Sequence, residues 1–219
     1  MIQYLAEFFQ AGGPFMFVNI AVSAVAVAII VERIIALAFR LNLNAGPFME
    51  QVQKLVLSGN VDRAVKLCGA APNAALSKVV RAGLTRANRG EQEVSRSLEE
   101  AVLEATPQVT KRIAALWSLA NIATLVGLIG TIVGLIGTFR SLGAASPELK
   151  QQMLSKGIAE AMNNTAFGLI IAVTCIVGHL MLTSKAKSMI EEIEYNALRL
   201  ENLLARRGAG ETNPLESAG

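Results

Sequence analysis

Three threonines recur inside a long apolar stretch of the sequence, an unusual setting for hydroxyl groups. They lie seven residues apart, at Thr124, Thr131 and Thr138. Because an α-helix has 3.6 residues per turn, residues seven apart face nearly the same side. Threonine hydroxyls bond to water, to a carboxyl group or to a neighbouring helix, but they do not titrate near neutral pH. The pattern is typical of either the wall of an ion pathway or a helix-packing face.

A second set of polar residues lies in the apolar stretch from Gly157 to Ser184. Counted from Glu160, both Asn164 and Thr165 fall within a helical arc of about 100°. The same arc contains Ala161, Gly168, Ala172, Cys175, His179 and Thr183. A carboxyl group in a membrane is costly unless it faces a polar interior, so Glu160 indicates a polar pathway. The small residues also fit close helix packing, and we expect His179 to be an interfacial or hydrogen-bonded histidine.

The two stretches match in depth. Thr131 lies nine residues before Arg140, and Thr165 lies nine residues after Lys156. In antiparallel helices, both hydroxyls then lie ~13 Å inside the outer boundary, at ~1.5 Å per residue. A ring of these hydroxyls would form if several copies of the chain surrounded an axis. The candidate residues for the wall of a water-containing path are Thr131, Thr165, Glu160, Thr138 and Asn164.

Glycines accompany the hydroxyls in both stretches. Those predicted to pack helices closely are Gly127, Gly130, Gly134, Gly137 and Gly168. Small residues let two helix backbones approach within a membrane. The alternative interpretation is a structural oligomeric scaffold without ion conduction, in which the glycine and threonine stripes only pack helices.

Membrane-spanning helices must position these residues. The chain is 53% hydrophobic and 17% charged, with a mean hydropathy of +0.46, whereas about a quarter of a soluble protein is charged. Three charge-poor stretches exceed the ~20 residues that cross a bilayer. We predict an all-α membrane protein with three transmembrane helices and long cytoplasmic helical extensions. The predicted segments are an outer N-terminal segment (1–14), transmembrane helices (15–39, 113–139 and 157–184), a cytoplasmic helical loop (40–112), a short periplasmic connection (140–156), a cytoplasmic amphipathic helix (185–207) and a disordered tail (208–219).

Basic residues predict the orientation of the spans. None precedes the first span, whereas eleven lie between Arg40 and Arg112. We therefore expect the N-terminus outside and the loop and C-terminus in the cytoplasm. A cleavable signal peptide is not favoured, because the leader has Glu7 and no basic residue. Glu32 and Arg33 end the first span and are predicted to be interfacial anchors that extend to the inner surface.

The loop and tail are predicted to be helical. Apolar spacing and turn residues predict helices near Phe48–Leu57, Val61–Leu67 and Ala74–Ala87, then a long helix from Glu91 with a kink at Pro107. The tail has apolar residues at heptad spacing: Ile190, Ile193, Ala197, Leu200 and Leu204. We expect this seam to pack on the helix from Glu91 or on a neighbouring subunit, more than in a free coiled coil.

The sequence does not indicate an enzyme or a cofactor. It has no phosphate loop and no HExxH or GxSxG motif. Cys68 and Cys175 have no ligands at metal-binding spacing, so no metal site is predicted. The net charge of +3 and the pI near 9.0 follow from the membrane topology, and no nucleic-acid partner is expected.

Two segments carry a resemblance to a known family. Residues 125–139 read LVGLIGTIVGLIGTF, and residues 158–172 read IAEAMNNTAFGLIIA. Together they resemble the paired span motifs of the MotA/TolQ/ExbB proton-channel family, in its three-span ExbB/TolQ branch. Glu32-Arg33 and the segment GNVDRAVKLC (59–68) are also similar to that family. One departure is Val173, which stands where the family often has proline.

The resemblance implies a proton-channel or stator subunit of a motor in the bacterial inner membrane, which converts proton motive force into mechanical work on the cell envelope. It implies a pentamer around a central pore that encloses a dimeric, single-span ExbD/TolR-like partner. Thr131 and Thr165 match the family's pore-lining threonines, and Glu160 matches its third-span glutamate. The resemblance therefore implies that the path bordered by the candidate residues is a proton-conducting pore. The process driven is outer-membrane transport, envelope maintenance or surface gliding motility, and Na⁺ is the alternative ion to H⁺.

The residues themselves also point to a partner chain. The predicted spans contain no Asp or Lys, and Glu160 and His179 lie towards opposite ends of the third span. The middle of the pathway therefore holds hydroxyl groups only, and these do not titrate. We expect the titrating carboxylate to be supplied by another protein, and the resemblance implies an Asp of the partner helix.

Overall fold

The computed structural model describes residues 13–143 and 146–208, with the side chains of 147, 148 and 208 left aside. All of the regular structure in these residues is helical. The helices are α1 (Gly13–Ile35), which continues into a π-helical turn (Ala36–Arg40), α2 (Ala45–Leu57), α3 (Val61–Gly69), α4 (Ala75–Thr85), α5 (Glu91–Thr110), α6 (Ile113–Leu142) and α7 (Pro147–Gly208). Most of the predicted outer segment and the C-terminal tail lie outside the described residues.

Three helical stretches are long and apolar enough to cross a membrane. They correspond to α1, α6 and the first half of α7, as predicted from the charge-poor stretches. The prediction of an all-α chain with three membrane-spanning helices is therefore confirmed for the described residues. The chain divides into two compact units. We call residues 13–32 and Arg112–Met181 the membrane unit, and Arg33–Lys111 with residues 182–208 the loop-and-tail unit.

Small and polar side chains fill the interior of the membrane unit. On α6, the buried residues recur every three or four positions: Leu116, Ala120, Ala123, Gly127 and Gly130. The buried face of α7 within this unit comprises Ala161, Asn164, Gly168, Ile171, Ala172 and Cys175. Large apolar residues such as Leu125 and Ile129 are exposed, as expected for surfaces that face lipid or another chain. The small-residue arc predicted on the third span is therefore largely the packing face of one protomer.

The loop-and-tail unit has a conventional apolar core. α4 lies close to α5 and α7, because a Cβ atom at Gly83 would be 2.6 Å from Leu98 Cδ2 and 3.4 Å from Leu200 Cδ2. Four residues of the predicted tail seam are buried: Ile193, Ala197, Leu200 and Leu204. The seam therefore packs on helices of its own chain, with Leu200 beside α4.

The helix before the second span is interrupted at a different place from the predicted one. Pro107 lies inside α5, and the interruption comes at Lys111 and Arg112, where Arg112 adopts a left-handed φ of 61°. Three charged residues bond at the interruption. Arg112 Nη1 lies 2.5 Å from Glu32 Oε2, and Arg33 Nη1 donates to the Gln108 carbonyl over 3.3 Å. That carbonyl would accept from the amide of residue 112 in a continuous helix.

The buried Cys68 thiol belongs to the core of the loop-and-tail unit. Its side chain is 2% exposed, and the Ser77 hydroxyl donates to the Cys68 carbonyl over 2.7 Å. Burial raises the pKa of the thiol from 9.0 to about 11, with hydrogen bonding to Ser77 acting in the opposite direction. The thiol is therefore neutral at physiological pH. The stability that the protein gains by burying the neutral thiol is fully present below pH 9, and it is lost as the pH rises towards 11.

We expect Cys68 to react slowly with maleimide in the folded protein. At pH 8, a thiol whose pKa is two units higher has about 100-fold less thiolate than in the unfolded chain. The rate is measured in a Cys175→Ala background, with the urea-unfolded protein as the reference. Reaction of folded Cys68 at the unfolded rate would contradict the buried placement.

Candidate ion-pathway site

Glycine allows α6 and α7 to approach each other backbone to backbone. A Cβ atom at Gly127 would lie 2.9 Å from the Asn164 carbonyl oxygen, and one at Gly168 would lie 2.6 Å from the Ala123 carbonyl oxygen. Side chains essentially never come this close to backbone atoms, so any larger residue would push the helices apart. These two glycines therefore set the spacing of the second and third spans.

The close approach brings the predicted hydroxyls together. Thr131 Oγ1 and Thr165 Oγ1 are in direct hydrogen-bond contact. Thr131 Oγ1 also lies 3.1 Å from the Gly127 carbonyl and 3.1 Å from the Ala161 carbonyl. Thr165 Oγ1 lies 3.3 Å from the same Gly127 carbonyl. Two hydroxyl and two carbonyl oxygens thus meet between α6 and α7, and both threonines are half-buried.

This arrangement determines what the hydroxyl pair offers to a third group. Each hydroxyl has one hydrogen to donate and two lone pairs. Carbonyl oxygens only accept, so the nearby Gly127 and Ala161 carbonyls, and the contact between Thr131 and Thr165, engage both hydrogens. The pair retains acceptor capacity for water or for the O–H of a protonated carboxyl group. In this arrangement it is better suited to a carboxylic acid than to a carboxylate.

Of the other three predicted pathway residues, Thr138 and Glu160 lie nearer the C-terminal end of α6, and Asn164 lies beside Gly130. Thr138 donates to the Gly134 carbonyl over 2.9 Å. Glu160 Oε1 lies 3.8 Å from Lys156 Nζ, and its side chain is 36% exposed. Asn164 is only 4% exposed, so it lies inside the protomer and not on an open surface. All three residues line one cavity of about 180 Å³ between α1, α6 and α7.

The remaining predicted packing glycines differ in their surroundings. A Cβ atom at Gly130 would lie 3.0 Å from the Asn164 amide and from Phe15 Cβ, which places α1 against α6. At Gly134 it would make an ordinary contact of 3.4 Å with Ala161 Cβ. At Gly137 it would meet no atom within 4 Å. Close packing within one chain therefore involves Gly127, Gly130 and Gly168 most strongly.

The opposite end of the membrane unit contains His179 and Glu32, two of the residues predicted to be interfacial. His179 Nδ1 lies 3.0 Å from the Ile113 carbonyl, and because a carbonyl only accepts, Nδ1 carries the hydrogen. The Trp117 and His179 rings are 6.1 Å apart. Glu32 pairs with Arg112, a partner that we did not predict although Arg112 marks the end of the charge-free stretch. Arg33, predicted to extend to the surface, is 5% exposed and bonds within the loop-and-tail unit.

Sequence comparison places the chain in a family. The model of the MotA/TolQ/ExbB proton channel family matches residues 71–195, more than half of the chain. The chain belongs to this family. The match begins in the connection between α3 and α4 and continues through both glycine-rich spans. It includes Thr131, Glu160 and Thr165.

A curated relative agrees with this assignment. The chain is 25% identical over 189 residues to a putative biopolymer transport protein ExbB homolog of Methanothermobacter thermautotrophicus. The aligned region covers 86% of this chain and 66% of that relative, so the chain spans about two thirds of the relative's length. Among the described residues of this MotA/TolQ/ExbB family member, no three His, Cys, Asp or Glu side chains are grouped as metal ligands would be.

We expect Gly168→Ala to destabilise the membrane unit and Gly137→Ala to leave it unchanged. A Cβ atom at position 168 would clash with the Ala123 carbonyl, whereas a Cβ atom at position 137 would meet no atom within 4 Å. Overpacking typically costs about 1–3 kcal/mol. The measurement is thermal unfolding of the detergent-solubilised protein. Equal midpoints for the two variants would contradict the close approach of α6 and α7.

Proposed function

We propose that this chain is the proton-channel subunit of a membrane motor, which converts proton motive force into mechanical work on the cell envelope. Its membership of the MotA/TolQ/ExbB family supports the general activity. The observation that carries the residue-level proposal is the direct contact of Thr131 and Thr165 across α6 and α7. Those two hydroxyls were predicted from depth alone to act together, and in this proposal they receive a protonatable group in the pore.

The proposed partner supplies that group. Hydroxyl oxygens that retain acceptor capacity bind a protonated carboxyl, and deprotonation removes the O–H that they accept. A carboxyl group on a separate helix would therefore bind the pair when protonated and be released when ionised. Repetition of this cycle around a ring of subunits would move one assembly relative to the other. We propose a dimeric, single-span ExbD/TolR-like protein with an intramembrane Asp as this partner.

The assembly and topology form part of the same proposal. We propose a pentamer in the bacterial inner membrane, with the N-terminus in the periplasm and the loop and C-terminus in the cytoplasm. The basic residues of the loop support this orientation. Exposed apolar residues on α6 and α7, such as Leu128 and Ile170, give the membrane unit surfaces for lipid or neighbouring subunits. The transported ion is H⁺, with Na⁺ as the alternative.

The process driven is outer-membrane transport, envelope maintenance or surface gliding. Purification of the intact complex from native membranes, followed by mass spectrometry of its components, would identify the partner and the load. The competing function is an oligomeric scaffold without ion conduction. The tight contacts at Gly127 and Gly168 favour that function, because close helix packing explains the glycines without ion conduction.

Hydroxyl substitutions separate the two functions. We expect Thr131→Val and Thr165→Val to leave assembly intact and to abolish force-dependent work, because valine keeps the shape and removes the hydroxyl. Serine at either position should restore at least part of the activity. The matched control is Thr174→Val, on α7, whose exposed hydroxyl bonds, among the described residues, only to the Ile170 carbonyl of its own helix. The measurements are oligomer size in detergent and proton flux through the reconstituted complex.

The scaffold predicts the opposite result. In that case the valine variants would conduct and drive work like the parent complex, and only bulky substitutions at the glycines would have an effect. Unchanged activity in both Thr131→Val and Thr165→Val would rule out the proposed pathway.

A further inference from the structure

An open groove lies in the loop-and-tail unit, between α5 and the C-terminal part of α7. It has a volume of about 450 Å³. Its floor is apolar and includes Val102, Leu103 and Leu198, and its three other charged or polar lining residues are all acidic: Glu99, Glu194 and Glu201. We call it the acidic groove. An apolar floor with an acidic border favours an occupant that is both apolar and basic.

A second groove lies on the other flank of α7, between this helix and α2. It has a volume of about 420 Å³. None of the described residues that line it is acidic, and two are arginines, Arg199 and Arg206. Arg199 Nη2 donates to Gln53 Oε1 over 2.8 Å, a bond that holds the guanidinium at the groove. We call this surface the basic flank.

Large apolar side chains are exposed along both surfaces. Leu198 lines both grooves and is 60% exposed. Leu103, in the acidic groove, is 74% exposed, and Tyr195, on the basic flank, is 65% exposed. In the proposed topology this unit lies in the cytoplasm, so lipid tails do not cover these side chains. Adjacent exposed apolar residues of this kind are typical of a protein interface.

One chain cannot pair its own two surfaces. Glu194 and Glu201 lie on one side of α7, and Arg199 and Arg206 lie about 140° away around the same continuous helix at 100° per residue. Both pairs are separated by seven residues, which is two turns, or ~10.5 Å along the axis. The carboxylates of one copy therefore have the same spacing as the guanidinium groups of another.

We propose that the acidic groove of one copy binds the basic flank of the next copy. Arg199 and Arg206 would lie against Glu194 and Glu201 of the neighbouring copy, and Tyr195 would cover the apolar floor. The contact joins two different surfaces, so it repeats from copy to copy until a ring closes. The loop-and-tail unit thus carries a subunit contact of its own, separate from the glycine-packed spans. This inference rests on the assembly stated in the proposed function, but not on ion conduction.

Cross-linking between differently tagged copies tests the contact. One copy carries Leu103→Cys and the other carries Asn202→Cys, both in a Cys68→Ala and Cys175→Ala background. Both positions are exposed, one in the acidic groove and the other on the basic flank. The two copies are co-expressed, purified as the intact complex and treated with a short bis-maleimide. We expect a mixed dimer, and little dimer from either cysteine variant alone.

Charge reversal shows whether the grooves produce the cross-link. Arg199→Glu with Arg206→Glu, in the Asn202→Cys copy, should lower the cross-linking rate by about fivefold or more, because like charges would then face each other. Glu194→Arg with Glu201→Arg, in the Leu103→Cys copy, should restore it. The matched control is Arg63→Glu with Arg89→Glu, two exposed arginines of the same unit outside both grooves, and it should have little effect.

Four results would overturn the proposal. They are no mixed dimer in an assembled complex, as much dimer from Leu103→Cys alone, cross-linking of Leu103→Cys to the single-span partner protein instead, and no restoration by the second pair of reversals. Oligomer size in detergent separates this inference from the proposed function. If no oligomer forms, the proposed assembly fails as well, whereas an intact oligomer without the cross-link overturns this inference alone.

Discussion

The backbone contact between α6 and α7 is the constraint on which the rest of the membrane unit depends. Gly127 and Gly168 let each helix press against a carbonyl of the other, so the two spans lie closer than side chains would permit. At this spacing the short side chains of Thr131 and Thr165 reach each other and two backbone carbonyls. The packing and ion-pathway interpretations are therefore complementary, because the glycines that pack the helices also position the hydroxyls.

The chemistry of the hydroxyl pair is the reason for proposing a second protein. Hydroxyls and carbonyls accept hydrogen bonds, but they neither gain nor lose protons near neutral pH. Glu160 lies near the pair, lines the cavity between α1, α6 and α7, and is paired with Lys156. In the proposed function, a mobile carboxyl group on another helix completes the pathway.

Local features of the structure were predictable from the sequence, and contacts between distant segments were not. The three spans follow from long stretches without charge, and the meeting of Thr131 with Thr165 follows from equal depth on antiparallel helices. The interruption at Arg112 depends on Glu32, eighty residues earlier in the chain, and helical periodicity carries no signal for such a pair. Similarly, the arc of small residues on α7 did not distinguish a pore wall from a packing face. Burial of Asn164 and Cys175 within one protomer assigns much of it to packing.

Proton flux into liposomes that contain the chain with and without its partner tests the central claim most directly. A pH-sensitive dye inside the liposomes reports flux under an imposed potential. If the pathway holds only hydroxyls at its centre, the chain alone should be silent, and flux should appear when the single-span partner with its carboxyl group is co-reconstituted. Proton flux through the chain alone, equal to that of the complex, would contradict the account.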